Sequence, residues 1–301
     1  MTEPSSTQRR VQFDFDVEFL NGGGLQGQGF RLDIDGDDID DRALADYLVR
    51  DLRLLMVGRV GILNKKILVE PHKRSAARAD DGDAERRIDL SHTIEDGMIT
   101  YKGLPAPLIC DHLSRADSRA LYAEGTEFQI GRITMVSNTG TYLDTPFHRF
   151  ADGSDLSAMN LDVLAGLDAV LVRVTGMAGR SIPREAFTSL DVRGRAVLVH
   201  TGWDAHWRTD QYFEGHPFLT EDAANWLKNQ GAQLVGIDSY NIDDTGDRRR
   251  PVHTSLLGAG IPIVEHLCGL GQLPASGFRF SAVPPKIKGM GTFPVRAFAT
   301  F

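Results

Sequence analysis

Four short, mostly apolar runs at 169–174, 196–200, 233–237 and 261–267 recur through the second half of the chain, with helical stretches between them. Strands that alternate with helices build an α/β or mixed layered fold, and this rhythm constrains the chain more than any single residue does. The clearest helix begins at Thr220, a good N-cap. It carries Glu221 and Asp222 in its first turn, facing the positive end of the helix dipole, and stops at Gly231.

The first part of the chain reads differently. After a polar start over residues 1–10, Val11, Phe13, Phe15, Val17 and Phe19 alternate with polar neighbours, the signature of a half-buried strand. Gly22, Gly23 and Gly24 turn it, and 29–34 reads as the returning strand of a hairpin. Asp40 or Asp41 then caps a helix over about 42–56 with Leu44, Leu48, Leu52 and Leu55 on one face, and 60–69 supplies two more short strands. Residues 1–75 are thus expected to form a small α+β domain, to which no chemistry is assigned. The stretch from His72 to Arg87 is charged and small with no apolar period, so 76–87 reads as a linker to a larger domain, 88–301.

Composition narrows the partners. The 33 basic and 41 acidic side chains leave a net charge of −8 without a long block of one sign, so neither nucleic acid nor an anionic membrane is expected. The apolar runs fall far short of the roughly 20 residues that cross a bilayer. Cys110 and Cys268 are the two cysteines, neither in a nucleophile context, and nothing resembles a signal peptide. A soluble protein of the reducing cytoplasm is expected.

Chemistry concentrates between Ser137 and Phe150, Ser-Asn-Thr-Gly-Thr-Tyr-Leu-Asp-Thr-Pro-Phe-His-Arg-Phe. Asn138, Tyr142, Asp144 and His148 lie at even-numbered intervals, and extended backbone would turn them to one face. Gly140 permits close approach and Pro146 fixes the chain locally, so an apolar strand at 133–136 is expected to run into a shaped loop. Residues 138–148 resemble the pattern His-x-Gly-Thr-His-x-Asp-x-Pro-x-His of the cyclase family of hydrolases, the family of bacterial kynurenine formamidase and isatin hydrolase. Gly140, Thr141, Asp144, Pro146 and His148 match it. Asn138 and Tyr142 stand where the family has two histidines that help to hold a divalent metal. The resemblance begins at Ile88 and continues to the C-terminus.

This resemblance implies a swivelling β/β/α fold around a barrel-like central sheet, preceded here by the extra α+β domain. It also implies a homodimer or homotetramer acting on a small molecule. His253 and Glu265 match the family's second pair of metal ligands. Glu265 lies in the apolar run 261–267, where an ionised carboxylate is costly to bury unless a cation or hydrogen-bond donors compensate. With Asp144 these two form a set for one zinc or manganese ion or, two imidazoles being absent, for none. The implied reaction is hydrolysis of an amide, formamide or lactam-like C–N bond of a small aromatic substrate. His148 would be the general base, with Tyr142 and Asn138 at the reacting centre and His92, Trp203, His206 and Trp207 around the substrate. Two other readings stay open: a metal-free lyase or cyclase using Tyr142 and His148, and an inactive relative that recruits a partner through its extra domain.

Overall fold

The alternating residues near the N-terminus form the buried row of an antiparallel sheet. The structure is a computed structural model that describes residues 8–34, 36–52, 54, 56–70 and 86–301, and the chain divides into units at 1–84 and 85–301. In the first unit β1 (Gln8–Phe19), β2 (Gly24–Ile34) and β3 (Val57–Glu70) pair in the order β2-β1-β3. Val11, Phe13, Phe15 and Val17 are buried in one cluster with Leu44 and Leu48 of helix α1 (Asp41–Asp51). Asp40 caps that helix, accepting from the Ala43 N–H at 2.8 Å.

Two strands are longer than the sequence suggests. β2 starts directly after the glycine turn, and 60–69 belongs to one continuous strand instead of two. The Asp14 carboxylate accepts from the Gly29 N–H at 2.7 Å and from Asn64 Nδ2 at 2.6 Å. Both partners have positive φ and lie where the pairing register shifts, so bulges absorb the extra residues and each strand runs on. The helix closes early, with Leu52 as its C-cap. Leu55 and residues 76–85 of the expected linker lie outside the described residues. Arg86 and Arg87 belong to the second unit, where the Arg86 N–H donates to the Phe301 carbonyl at 2.8 Å and Arg87 opens a strand.

The four apolar runs become the centre of a nine-stranded sheet. Strands β8 (Leu167–Arg173), β10 (Ala196–His200), β12 (Leu234–Ile237) and β13 (Ile263–Glu265) pair in parallel. Both faces are covered, which is why the runs are continuously apolar instead of alternating. Leu171, Leu198 and Val264 face one core cluster. Val172, Val199 and Ile237 face another, packed with Leu227 of α2 (Glu221–Gln230) and Leu256 of α3 (Pro251–Gly258). Helix α2 has the ends read from the sequence, with Thr220 Oγ1 accepting from the Ala223 N–H at 3.2 Å and Gly231 at φ 81.

Antiparallel strands extend the sheet on both sides. β7 (Tyr142–Asp144) and β15 (Thr292–Pro294) lie beyond β13, while β14 (Phe278–Ser281), β16 (Phe298–Thr300) and β4 (Arg87–Asp89) lie beyond β8. The result is a mixed α/β fold whose sheet curls into a half-barrel. Outside it, β5 (Leu108–Leu113) pairs with β6 (Ile130–Thr134), and β9 (Ser181–Ile182) with β11 (Phe218–Leu219). Among the described residues no helix is long and apolar enough to cross a membrane.

Candidate active site

The motif does not reach its site by period-two geometry. β7 is only three residues long; Gly140, at φ 66, bends the chain before it, and Pro146–His148 forms a 3₁₀ turn after it. Even so, Asn138, Tyr142 and His148 meet at a cavity of about 270 Å³, joined by Asn241, His253 and Glu265. Antiparallel pairing of β7 with β13 sets Tyr142 opposite Glu265 and Asp144 opposite Ile263. Asp144 is fully buried. Gly291 holds the turn from behind: its carbonyl accepts from the Thr145 N–H at 2.8 Å and from Thr145 Oγ1 at 3.0 Å. A Cβ on Gly291 would collide with the backbone of His148, so glycine is required there by space.

Two imidazoles are held in defined orientations. Asp243 accepts from the Val252 N–H at 2.7 Å, the His253 N–H at 3.0 Å and His253 Nδ1 at 2.6 Å. Nδ1 therefore carries a proton, and Nε2 faces Asp144 Oδ2 at 3.5 Å and Glu265 Oε1 at 3.7 Å. On the other side Thr292 Oγ1 donates to Asp144 Oδ1. A carboxylate can only accept, so that hydroxyl accepts in turn from His148 Nδ1 at 2.8 Å, leaving Nε2 as the free acceptor of His148.

The electrostatics follow from this packing. Burial works against ionisation of Asp144, but His148, His253 and Thr292 together outweigh it and hold the carboxyl below its usual range. Burial also opposes a charged His253; the neighbouring carboxylates of Asp144, Asp243 and Glu265 overcome it and raise the imidazole to about 10. For Glu265 burial wins, with Asp144 adding to it. The carboxyl rises to about 7 although His253, the Tyr142 hydroxyl and the Ile242 N–H all favour its ionised form. Tyr142 O–H donates to Glu265 Oε2 at 2.6 Å, Asn241 Nδ2 to the same oxygen at 3.3 Å, and the Ile242 N–H to Oε1 at 2.6 Å.

Ligand-capable atoms of Asp144, His148 and His253 lie within 4.8 Å of one another. Asp144 Oδ2 is buried there with no hydrogen-bond partner. One carboxylate and two imidazoles, the His253 ring oriented through its Nδ1, make a donor set that fits a divalent ion such as zinc. Glu265, expected in that set from the sequence, is not among these three residues, and both its oxygens already accept hydrogen bonds. Asp243, Thr292 and Asn241 carry no motif and were not foreseen. The other expected substrate contacts, His92, Trp203, His206 and Trp207, do not border the cavity. Trp207 stacks on His92 at 3.8 Å, and Trp203 Nε1 donates to the Tyr212 carbonyl at 3.0 Å and packs on His206 at 4.6 Å. Each of these rings packs on an aromatic partner.

A family model described as a putative cyclase matches residues 88–244, more than half of the chain, and the protein belongs to this Cyclase family. Curated relatives include the kynurenine formamidase of Bacillus cereus, 28% identical over 211 residues that cover 70% of this chain and 95% of the relative. The kynurenine formamidase of Geobacillus thermodenitrificans is 29% identical over 212 residues, with the same coverage of 70% and 95%. A solved structure described as a potential metal-dependent hydrolase with cyclase activity aligns with a TM-score of 0.60 at 26% identity, over 72% of this chain and 98% of that one. Isatin hydrolase A from Labrenzia aggregata shares the fold, with a TM-score of 0.63 at 20% identity over 75% and 98% of the two chains.

Proposed function

We propose that the protein is a metal-dependent hydrolase of amide type, cleaving a C–N bond next to the carbonyl of a small aromatic substrate. The observation that carries this reading is the buried, unpartnered Asp144 oxygen facing His253 Nε2, with His148 alongside. Relatives named kynurenine formamidase and isatin hydrolase support the reaction class. A zinc or manganese ion held by Asp144, His148 and His253 would act as a Lewis acid on the scissile carbonyl. Glu265 borders the same cavity and is tuned to about 7. It takes a proton from the attacking water and returns it to the leaving nitrogen. This moves the base from His148, where the motif alone puts it, to Glu265. Tyr142 spends its hydroxyl proton on Glu265 and so fixes that carboxylate. The Asn138 amide, also bordering the cavity, offers N–H donors to the carbonyl oxygen as charge develops on it.

Elemental analysis and hydrolysis of formanilide test the assignment together. Asp144→Asn should lose both metal and turnover, whereas Glu265→Gln should keep the metal and lose turnover. A wild-type protein that binds neither zinc nor manganese after incubation would overturn the reading. So would a Glu265→Gln variant that loses its metal as completely as Asp144→Asn does.

A further inference from the structure

The first unit carries none of the residues that border the catalytic cavity, and one edge of its sheet is open. Strand β3 is 14 residues long and pairs with β1 on one side; among the described residues no strand covers its other side. An open edge attracts further strands, and proteins guard such edges with bulges and lysines. The middle of β3 is guarded in this way, by Asn64 with a φ of 53 at a register shift and by Lys65 and Lys66 after it. Residues 59–63 lack a bulge, and Arg59 is their single charge. They form the regular run between two register shifts, facing 14–18 of β1. Val60 and Ile62 turn to the core face, where they also border a groove of about 520 Å³ against Ala45 and Val49 of α1. Arg42, Asp46 and Arg59 bring both signs of charge to that groove. Leu63, at the end of the run, is 57% exposed.

We propose that residues 59–63 pair antiparallel with the same residues of a second copy of this chain, so that the two three-stranded sheets join into one. The run is complementary to itself about Gly61. In that register Val60 of each copy lies opposite Ile62 of the other on the α1 face, and Arg59 lies opposite Leu63 on the open face. No like charges meet, and the aliphatic stem of Arg59 covers the exposed Leu63. Gly61 stands on the axis, where the missing side chain lets the strands close. Each groove also offers the other an acid, Asp46, and a base, Arg42, the reciprocity that a two-fold contact between identical surfaces requires. An unrelated strand has no such match. The proposal is independent of the amide-hydrolase reading.

The test uses the full chain. Gly61→Cys puts a thiol on the axis; Gly61 is not in the left-handed region, and an added Cβ meets nothing nearer than the Asp16 carbonyl oxygen at 3.8 Å, so the fold accepts it. At micromolar protein a short bismaleimide should join this variant into covalent dimers roughly tenfold faster than Gln26→Cys, because pairing holds the two thiols at a high effective concentration. Gln26 is an exposed position on β2, and the wild type, with Cys110 and Cys268, sets the background. Leu63→Arg sets like charges opposite one another at both ends of the run and should weaken assembly, read by sedimentation, about tenfold. Leu63→Glu meets Arg59 with the opposite charge and should assemble at least as well as wild type. Equal cross-linking of Gly61→Cys and Gln26→Cys would overturn the proposal. So would a Leu63→Arg variant that assembles as the wild type does. Should Gly61→Cys not fold, the two variants at the exposed Leu63 decide alone.

Discussion

Replacing Asp243 by Asn isolates the residue that orients His253. The carboxylate accepts three N–H groups, one at Oδ1 from Val252 and two at Oδ2 from the His253 backbone and ring. Asparagine has one carbonyl oxygen, so whichever way it turns, its NH₂ group faces at least one donor. A buried N–H left without an acceptor costs about 1–3 kcal/mol, and the apo protein should lose stability of that order. If the NH₂ turns toward the ring, Nδ1 must accept and the proton moves to Nε2, the nitrogen that faces Asp144. That ring can no longer ligate, and loss of such an orienting partner typically weakens metal binding by about 10–100-fold. Denaturant melts with and without zinc measure both effects, because bound metal raises stability in proportion to the logarithm of its affinity. The zinc-dependent gain should be smaller in Asp243→Asn by about 1.4–2.7 kcal/mol. An unchanged gain, with apo stability also unchanged, would refute the orienting role.

Tyr142→Phe removes the hydroxyl that donates to Glu265 at 2.6 Å, and should cost about 1–3 kcal/mol of stability in melts; a kcat equal to wild type would argue against Glu265 as the proton carrier. Gly291→Ala drives a methyl into the His148 backbone, so about 1–3 kcal/mol should be lost together with metal retention, read by melts and elemental analysis. Retention of a full metal complement would show that the turn can move without harm. His266 is buried among the rings of Tyr142, Trp207, Tyr212 and Tyr240, and burial lowers its imidazole to about 3. The unfolded chain takes up this proton below about pH 6.5 and the native state does not, so the contribution is complete above that pH and is lost as pH falls toward 3. At about pH 5 the loss amounts to about 2 kcal/mol, and His266→Phe should flatten that part of the stability profile; an unchanged profile would assign the acid sensitivity elsewhere.

The local features were legible where neighbours in sequence decide them. Alternation in β1, the capped ends of α2 and the continuous apolar runs of the parallel strands each follow from side-chain period, a cap hydrogen bond or two-sided burial. Strand continuity through Gly29 and Asn64 was hidden, because a bulge pinned by Asp14 depends on which strands become neighbours. Among the site residues, Asp144, His148, His253 and Glu265 stood out as polar groups in otherwise apolar or shaped segments. Their hydrogen-bond partners did not: Tyr142, Asn241 and the Ile242 N–H all donate to Glu265, and local spacing marks none of the three as its partner.

Thr292, 148 residues beyond Asp144, and Asp243, ten before His253, are an ordinary hydroxyl and an ordinary loop acid in the sequence. Only the curled sheet brings β15 against β7 and points the loop after β12 at α3, which gives His148 Nδ1 and His253 Nδ1 their hydrogen-bond partners. Which residues could do chemistry was set by residue type and local spacing. Which way each side chain is held was decided by hydrogen bonds between strands and helices far apart in the chain, and those form only when the sheet closes.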